Sequence, residues 1–369
     1  MCRHGRDNRI RIWRLELDDE AGKLSSILPE DGNRENTPKP WLLHSLPVNT
    51  LNFCSFSMCY RHPATSTAED DSIFVAVPST DDKVIDVYSF PDELLKVRIP
   101  RIQKVETGMA MALKLVRNQV TQRILVLAGY EGGVTAAFVL PEEHFNTGVE
   151  TAQLVYLSQP HSQPILSLDA SPDGDFYYTS SADAVIAKHR IPELPRNSGE
   201  VGNSLDTSIS EPSPGVFSKQ TVTQPKPKTS GPSGLSSLLS ASAPLPKFKP
   251  APPVQAVVSL QPPYKVVDTK HAGQQSLSVR SDGRLIVTGG WDSRIRIYST
   301  KTLKEVAVLK WHKEGVYSTA FGAIFKPEEA GHSDKLVNKR QRERDEQTKL
   351  NHWVAAGAKD GKVSLWEVF

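Results

Sequence analysis

One pattern is written six times along this chain. Its clearest copy is Leu285–Thr300, LIVTGGWDSRIRIYST: an apolar run, a tight polar turn led by Asp292, then alternating residues closing on an aromatic. The copy ending the chain, WVAAGAKDGKVSLWEV from Trp353 to Val368, places Asp360 in the turn and Trp366 on the following strand. In both, the aromatic falls six residues after the aspartate. Four weaker copies carry Asp7 with Trp13, Asp82 with Tyr88, Gly132 with Phe138, and Asp183 with His189. Few folds accept a hairpin repeated in this way.

The alternation puts Ile295 and Ile297 on one face of a sheet and Arg294 and Arg296 on the other. The turns Trp291-Asp292-Ser293-Arg294 and Lys359-Asp360-Gly361-Lys362 hold residue types that bond locally and tolerate tight backbone geometry. A single small sheet of this kind has two exposed faces and open edges. Packing such sheets face to face around an axis covers the faces and protects the edges. The fold expected is therefore all-β, a WD40 β-propeller, and the function expected is a surface for partners.

A propeller needs polar pins for its loops. His161 with Thr179 and Asp183, and His271 with Thr288 and Asp292, fit the His–Ser/Thr–Asp network that resembles the WD-repeat pattern. His312 with Asp360 does likewise, but Ala356 replaces the hydroxyl residue. Trp366, Asp7, Trp13 and Asp82 complete the expected set of structural blade pins. The same residue types suggest a catalytic triad, but a triad occurs once and is not copied around a ring. Gly-rich phosphate loops, the G-x-S-x-G elbow and the H-E-x-x-H helix do not occur in the sequence. The expectation is a non-enzyme with no cofactor, no metal and no catalytic residue.

Composition fits that reading. Formal net charge is +2 over 369 residues, too little for a broad field toward nucleic acid. The three cysteines, Cys2, Cys54 and Cys59, are too few for a disulfide framework and favour a reducing compartment. Cys54, Cys59 and His62 lack the spacing and fourth ligand of a zinc site. No apolar stretch approaches the roughly 18 residues of a membrane helix, and the first residues do not open a secretory signal.

Insertions divide the propeller into residues 1–191 and 264–369. Residues 192–263 hold about half of the chain's 27 prolines, with many serines, and are expected to be a disordered arm. Ser213-Pro214 in it is a proline-directed phosphorylation site, Pro244–Pro253 suits polyproline geometry, and Leu235–Leu239 is an apolar island. A tolerated loop expansion is the plainer reading of the same arm. Residues 326–351 carry both signs of charge at helical spacing, an exposed loop or helix; Lys339–Arg342 within it could also serve in nuclear import. Leu17–Pro40 is a third surface loop.

About 270 residues remain, about six blades at roughly 40–45 residues each. The first copy begins almost on its turn, so its blade is expected to lack its two inner strands. Either one blade and half of another are missing before Met1, or the ring is open; an unpaired seam argues for the former.

HGRDNRIRIWRLE, WLLHSLPVNTLNFCSFS, the AGYEGG turn, HSQPILSLDASPDG and the terminal WVAAGAKDGKVSLWEVF together resemble the ASTRA-associated protein 1 family, related to guanine nucleotide-binding protein beta-subunit-like WD proteins. The resemblance covers nearly all of the chain outside the Pro/Ser arm. It implies seven blades, with the His-Gly-Arg-Asp-Asn turn in the second. It also implies a nuclear, secondarily cytoplasmic, scaffold of the ASTRA complex. Its partners would be Rvb ATPases, the Tel–Tti co-chaperone and a kinase-related large subunit. The implied roles are chromatin remodelling and maturation of phosphatidylinositol-3-kinase-related kinases, without direct contact to nucleic acid or membrane. Exposed loop aromatics such as Trp41 and Trp311 are candidate contacts by residue type, although Trp311 beside His312 equally suits a core. The main alternative is a substrate receptor of a cullin-type ubiquitin ligase. Trp291-Asp292-Ser293-Arg294 has the W-D-x-R form of such receptors, but in a tight turn where they carry it at the end of a strand. A G-protein beta subunit would need an N-terminal coiled-coil helix, and a propeller enzyme an acidic or metal cluster on the axis.

Overall fold

A computed structural model describes residues 2–5, 8–14, 41–49, 54–62, 72–141, 148–194, 258–324 and 351–368. The chain divides into two units, Met1–Pro195 with Val258–Phe369, and Arg196–Val257. The second lies outside the described residues, as do the expected loops at 17–40 and 326–350.

Every regular element described in the first unit is a strand, and the strands form six sheets in chain order. Blade 1 holds β1 (Cys2–Gly5), β2 (Arg9–Arg14) and β3 (Trp41–Pro47). Blade 2 holds β4 (Ser57–Tyr60), β5 (Ile73–Pro78), β6 (Ile85–Phe90) and β7 (Leu94–Ile99). Blade 3 holds β8 (Ala110–Arg117), β9 (Ile124–Tyr130), β10 (Thr135–Val139) and β12 (Gln153–Ser158), while β11 (Glu150–Thr151) adds in parallel to the edge strand β7 of blade 2. Blade 4 holds β13 (Ile165–Ala170), β14 (Phe176–Ser181), β15 (Val185–Arg190) and β16 (Lys265–Asp268). Blade 5 holds β17 (Gln274–Val279), β18 (Leu285–Gly290), β19 (Arg294–Ser299) and β20 (Glu305–Lys310). Blade 6 holds β21 (Val316–Phe321), β22 (His352–Ala358) and β23 (Val363–Val368). The hairpins predicted from the repeat are thus the two middle strands of blades 3, 4 and 5, the strands β5 and β6 of blade 2, and reach a sheet edge in the three-stranded blades 1 and 6.

Two sequence expectations change. Cys2–Gly5 pairs antiparallel with β2, Cys2 opposite Ile12 and Gly5 opposite Arg9, so blade 1 has three strands where two were expected. The Pro/Ser insertion is also narrower than 192–263. Leu194 is buried with Ile191 between blades 3 and 4, and the Gln261 N–H donates to the Leu157 carbonyl on β12 at 2.8 Å. An apolar side chain and backbone donors with partners in reach are held at both ends of the segment.

The core lies between blades, where the facing sheets bury apolar side chains against one another. Blades 2 and 3 meet through Phe74, Ile85, Val97, Leu115, Val126 and Phe138; blades 5 and 6 through Val287, Ile297, Val316 and Val354. Burial runs continuously along β9, all seven residues from Ile124 to Tyr130 being buried. Strand β23 instead alternates, with Ser364 and Val368 buried and Val363 and Leu365 exposed.

An irregularity repeats with the blades. Between the two inner strands the register shifts at the start of β8, β13, β17 and β21, at Ala110/Ala112, Ile165/Ser167, Gln274/Ser276 and Val316/Ser318. On the outer side it shifts immediately before Trp13, Tyr88, Phe138 and Tyr298, each the aromatic six residues after its turn residue. A bulge adds local twist and re-aims side chains, which places these aromatics alike in successive blades.

Candidate functional site: the blade pins and the axial cleft

Blade 4 holds the fullest pin. His161 enters from the connection before β13, and its Nδ1 lies 3.2 and 3.3 Å from the two carboxylate oxygens of Asp183 in the β14–β15 turn. Its Nε2 is 2.8 Å from Thr179 Oγ1 on β14. Thr179 Oγ1 is in turn 3.2 Å from Nε2 of His189 on β15, whose Nδ1 is 3.0 Å from the Tyr156 hydroxyl on β12 of blade 3. His161, Thr179 and His189 are buried, and His189 stacks on Tyr177 at 4.6 Å between centroids.

With the Asp183 carboxylate ionised and both rings neutral, the proton order has one solution. The carboxylate only accepts, so His161 Nδ1–H donates to it and Nε2 accepts from Thr179. The Thr179 oxygen then accepts from His189 Nε2–H, and His189 Nδ1 accepts from Tyr156. Two of these states have a cause in the surroundings, the neutral His189 ring and the ionised Asp183 carboxylate. Burial, reinforced by His161, pushes the His189 pKa from 6.5 down to about 3. Burial pushes the Asp183 carboxyl up, but the His161 ring and the N–H groups of Val185 and Ser162 outweigh it and hold the group below its ordinary value. The network joins two blades.

Blade 6 solves the same problem differently. His312 Nδ1 is 3.4 Å from Asp360 and its Nε2 is 2.9 Å from Ser364 Oγ, to which Trp366 Nε1–H donates at 2.8 Å. The hydroxyl missing at Ala356 is supplied from β23, where Ser364 stands directly opposite Ala356. Sequence reading found the gap but not the residue that fills it.

Blade 5 departs from the expectation. Asp292 is gripped through both oxygens by Arg296, Nη1 to Oδ1 at 3.0 Å and Nη2 to Oδ2 at 2.5 Å. His271 is only half-buried, and its backbone N–H bonds Thr269 Oγ1 at 3.3 Å. Thr288 Oγ1 and the Tyr298 hydroxyl are buried and form no well-shaped hydrogen bond, the Tyr298 hydroxyl lying near Thr288 and Gln274. The expected His271–Thr288–Asp292 pin is therefore replaced by an ion pair. The cause lies in the register. The residue four places after the turn aspartate faces the hydroxyl position of β14, β18 or β22: Ala187 opposite Thr179, Ser364 opposite Ala356, Arg296 opposite Thr288. A small side chain leaves room for the histidine, whereas an arginine takes the aspartate itself.

Blade 2 differs again. Asp81, not Asp82, caps the turn, accepting from Lys83 N–H at 3.2 Å and Arg101 Nε at 2.6 Å. Asp82 contributes its carbonyl, which accepts the Ala110 N–H at 2.8 Å. Buried Asp86, four places after Asp82, takes Arg98 bidentately at 2.8 and 3.2 Å. Trp13 is half-buried on β2, and Asp7 lies outside the described residues.

A second set of contacts runs along the innermost strands. Ser57 Oγ accepts the Leu115 N–H at 2.8 Å, Ser167 Oγ the Leu277 N–H at 3.1 Å, and Asp169 Oδ2 the Val279 N–H at 2.8 Å. Ser276 and Thr319 hydroxyls pair at 2.7 Å, and Ser278 donates to the Thr319 carbonyl at 2.8 Å. Short polar side chains from one blade thus stitch the next. The strands β4, β8, β13, β17 and β21 so joined line a cleft of about 570 Å³. Its charged lining pair, Lys114 and Asp169, is closed on itself at 2.7 Å. The visible signal in the sequence is the alternate short polar residues of ILSLDA (Ser167, Asp169) and QQSLSV (Ser276, Ser278).

Cys54 is buried in the core of blades 2 and 3, where loss of solvent drives its thiol pKa far up; Cys59 packs against that core with its pKa raised to about 11, chiefly by burial. Trp311 is exposed (53%) while its neighbour His312 is buried, and Trp41 is 75% exposed.

Residues 152–187 and 264–299 match the WD domain, G-beta repeat family, the second match ending within the outer half of blade 5. Similarity to curated proteins runs along the whole chain. It is 40% identical to ASTRA-associated protein 1 of Pyricularia oryzae, over 99% of this chain and 83% of that protein. Identity to ASTRA-associated protein 1 of Verticillium alfalfae is 39%, over 99% of this chain and 76% of that protein. With ASTRA-associated protein 1 of Schizosaccharomyces pombe it is 25%, over 100% of this chain and 82% of that protein. Blades, pins and full-length similarity together make this chain a WD-repeat member of the ASTRA-associated protein 1 family.

Proposed function

We propose that the protein is a non-catalytic WD-repeat scaffold of the ASTRA complex, which docks several protein subunits on its blade loops and performs no covalent step. The observation that carries this is the similarity over 99% of the chain to proteins named ASTRA-associated protein 1. The chemistry of the chain supports it: the His–Thr–Asp and His–Ser–Asp groups are buried between strands and bonded to one another.

The subunits proposed are Rvb ATPases, the Tel–Tti co-chaperone and a kinase-related large subunit. Through them the protein would act in chromatin remodelling and in maturation of phosphatidylinositol-3-kinase-related kinases. The compartment proposed is the nucleus, with the cytoplasm second.

Affinity purification of the endogenous protein from native extract, with mass spectrometry, tests the reading. Co-purification of Rvb ATPases and the co-chaperone is expected. Recovery of a cullin adaptor in their place would establish the ubiquitin-ligase alternative instead.

A further inference from the structure

Blades 5 and 6 present a surface unlike the rest of the described molecule. It is built from the β18–β19 and β22–β23 turns and from the connections entering β17 and β21. The Trp291 ring lies across Gly273, where a Cβ would stand 2.3 Å from ring atoms; Gly273 has φ +74°, so glycine is required there on two grounds. A Cβ at Gly315 would meet the Tyr317 ring at 3.2 Å and the Trp291 backbone at 3.3 Å, so Gly315 sits between the Tyr317 ring and the chain at Trp291. Lys359 N–H bonds the Gly315 carbonyl at 2.9 Å, and Lys362 Nζ stands 5.6 Å from the centre of the Trp311 ring. Trp291, Trp311 and Tyr317 are 48%, 53% and 48% exposed, a concentration of large aromatics that a monomer's surface rarely carries without use.

The charge on this surface is one-sided. Lys270, Arg294, Lys310, Lys313, Lys359 and Lys362 form no ion pair among the described residues. Of the carboxylates beside them, Asp292 is taken by Arg296, which leaves Asp268, Glu314 and Asp360 against the six cations. The cations are in excess, two to one. The corresponding turn of blade 2 is different: there Arg101 pairs Asp81 at 2.6 Å and Lys83 pairs Glu106. The cations at that turn of blade 2 are paired, whereas those beside the three aromatic rings of blades 5 and 6 are open.

We infer that this surface, Trp291, Trp311 and Tyr317 ringed by Lys313, Lys359 and Lys362, binds an acidic linear peptide of a partner protein. Its carboxylates would meet the lysines and its apolar side chains the aromatic rings. Lysines are point charges suited to scattered carboxylates, whereas phosphate motifs are read by arginine clusters. Nucleic acid is disfavoured because the cations are confined to two blades of a chain with net charge +2, not spread along a stripe. Tyr317 and Gln275, which accepts the Trp291 indole N–H at 2.8 Å, also line the axial cleft, so the surface continues into its mouth. The inference rests on the scaffold reading above, since it names the class of partner segment such a scaffold would hold.

The test is fluorescence anisotropy of the purified full chain with a fluorescein-labelled peptide of alternating Glu and Leu. A Lys-Leu peptide and a labelled DNA oligonucleotide serve as competing probes. The Glu-Leu peptide should bind best and weaken with added salt. The double variant Lys313→Glu/Lys362→Glu, and separately Trp311→Ala, should each lose about tenfold or more in affinity. Lys301→Glu, exposed in the β19–β20 turn, should leave it unchanged. Circular dichroism melts confirm that the variants are folded. Unchanged binding by both variants, or tighter binding of the oligonucleotide, would overturn the inference. The same variants are used as baits from native extract. If wild type recovers ASTRA subunits and the folded variants recover them equally, the peptide surface is wrong and the scaffold reading stands. If wild type recovers none, the scaffold reading fails, and anisotropy alone decides the surface.

Discussion

Blades 4 and 5 start from nearly the same sequence signal and end in different chemistry. Both offer a histidine before the inner strand, a threonine on the second and an aspartate in the turn. In blade 4 these groups join a chain that continues through His189 to Tyr156 of the neighbouring blade. In blade 5 Arg296 takes the aspartate, and Thr288 and Tyr298 keep buried hydroxyls without a well-shaped hydrogen bond. Blade 6 lies between: its histidine is held, with the hydroxyl moved to the adjacent strand. The lesson is that a repeat conserves the demand for a pin, while one cross-strand neighbour decides how it is met.

The comparison breaks hardest at Thr179. Thr179→Val would leave ring nitrogens of His161 and His189 unpaired in a buried site, and about 3 kcal/mol of stability should be lost in urea unfolding. Removing the guanidinium with Arg296→Ala sharpens the other side. A buried ion pair broken outright costs about 3–5 kcal/mol. Here we expect about 1–2 kcal/mol, because the vacated space allows His271 to reach Asp292 and Thr288 and restore the missing pin. A crystal structure of the variant would reveal whether His271 moves.

Acidity separates the blades as well. His189 is neutral when folded, with its pKa at about 3 against an ordinary 6.5, so between those values the unfolded chain binds the extra proton. Its contribution to stability is constant above pH 6.5, falls as pH drops toward 3, and falls no further below that. The slope should approach about 1.4 kcal/mol per pH unit within that window. The comparison of wild type with His189→Gln across pH isolates it: the variant's curve should be flatter by that amount. Smaller effects follow. Ser364→Ala should cost about 1 kcal/mol and be recovered in part by adding Ala356→Ser, which returns the hydroxyl to β22. Thr288→Val, the counterpart of the blade 4 substitution, should change stability by less than about 0.5 kcal/mol, since its hydroxyl has only a poorly shaped contact with Tyr298 to lose.

Much of the fold was legible beforehand. The hairpins at Leu285–Ser299 and Trp353–Val368 lie where alternation and turn chemistry put them, because a period of two and a tight turn are local properties. The short strand at Cys2–Gly5 was missed, since Arg3 and His4 carry no apolar alternation and only pairing with β2 makes them a strand. Six-residue spacing to Tyr88 points to Asp82, yet Asp81 is the residue that caps the turn and takes Arg101.

The sequence by itself determined that this chain builds sheets from a repeated hairpin, which faces of those sheets are apolar, and where the aspartate turns fall. All of these follow from neighbours a few residues apart. Only the tertiary structure decided which side chain answers each aspartate, that Tyr156 closes a network with His189 across two blades, and that the cations beside Trp311 stay unpaired. Those outcomes depend on cross-strand register and on blade packing, which bring together side chains 18, 33 and 52 residues apart along the chain.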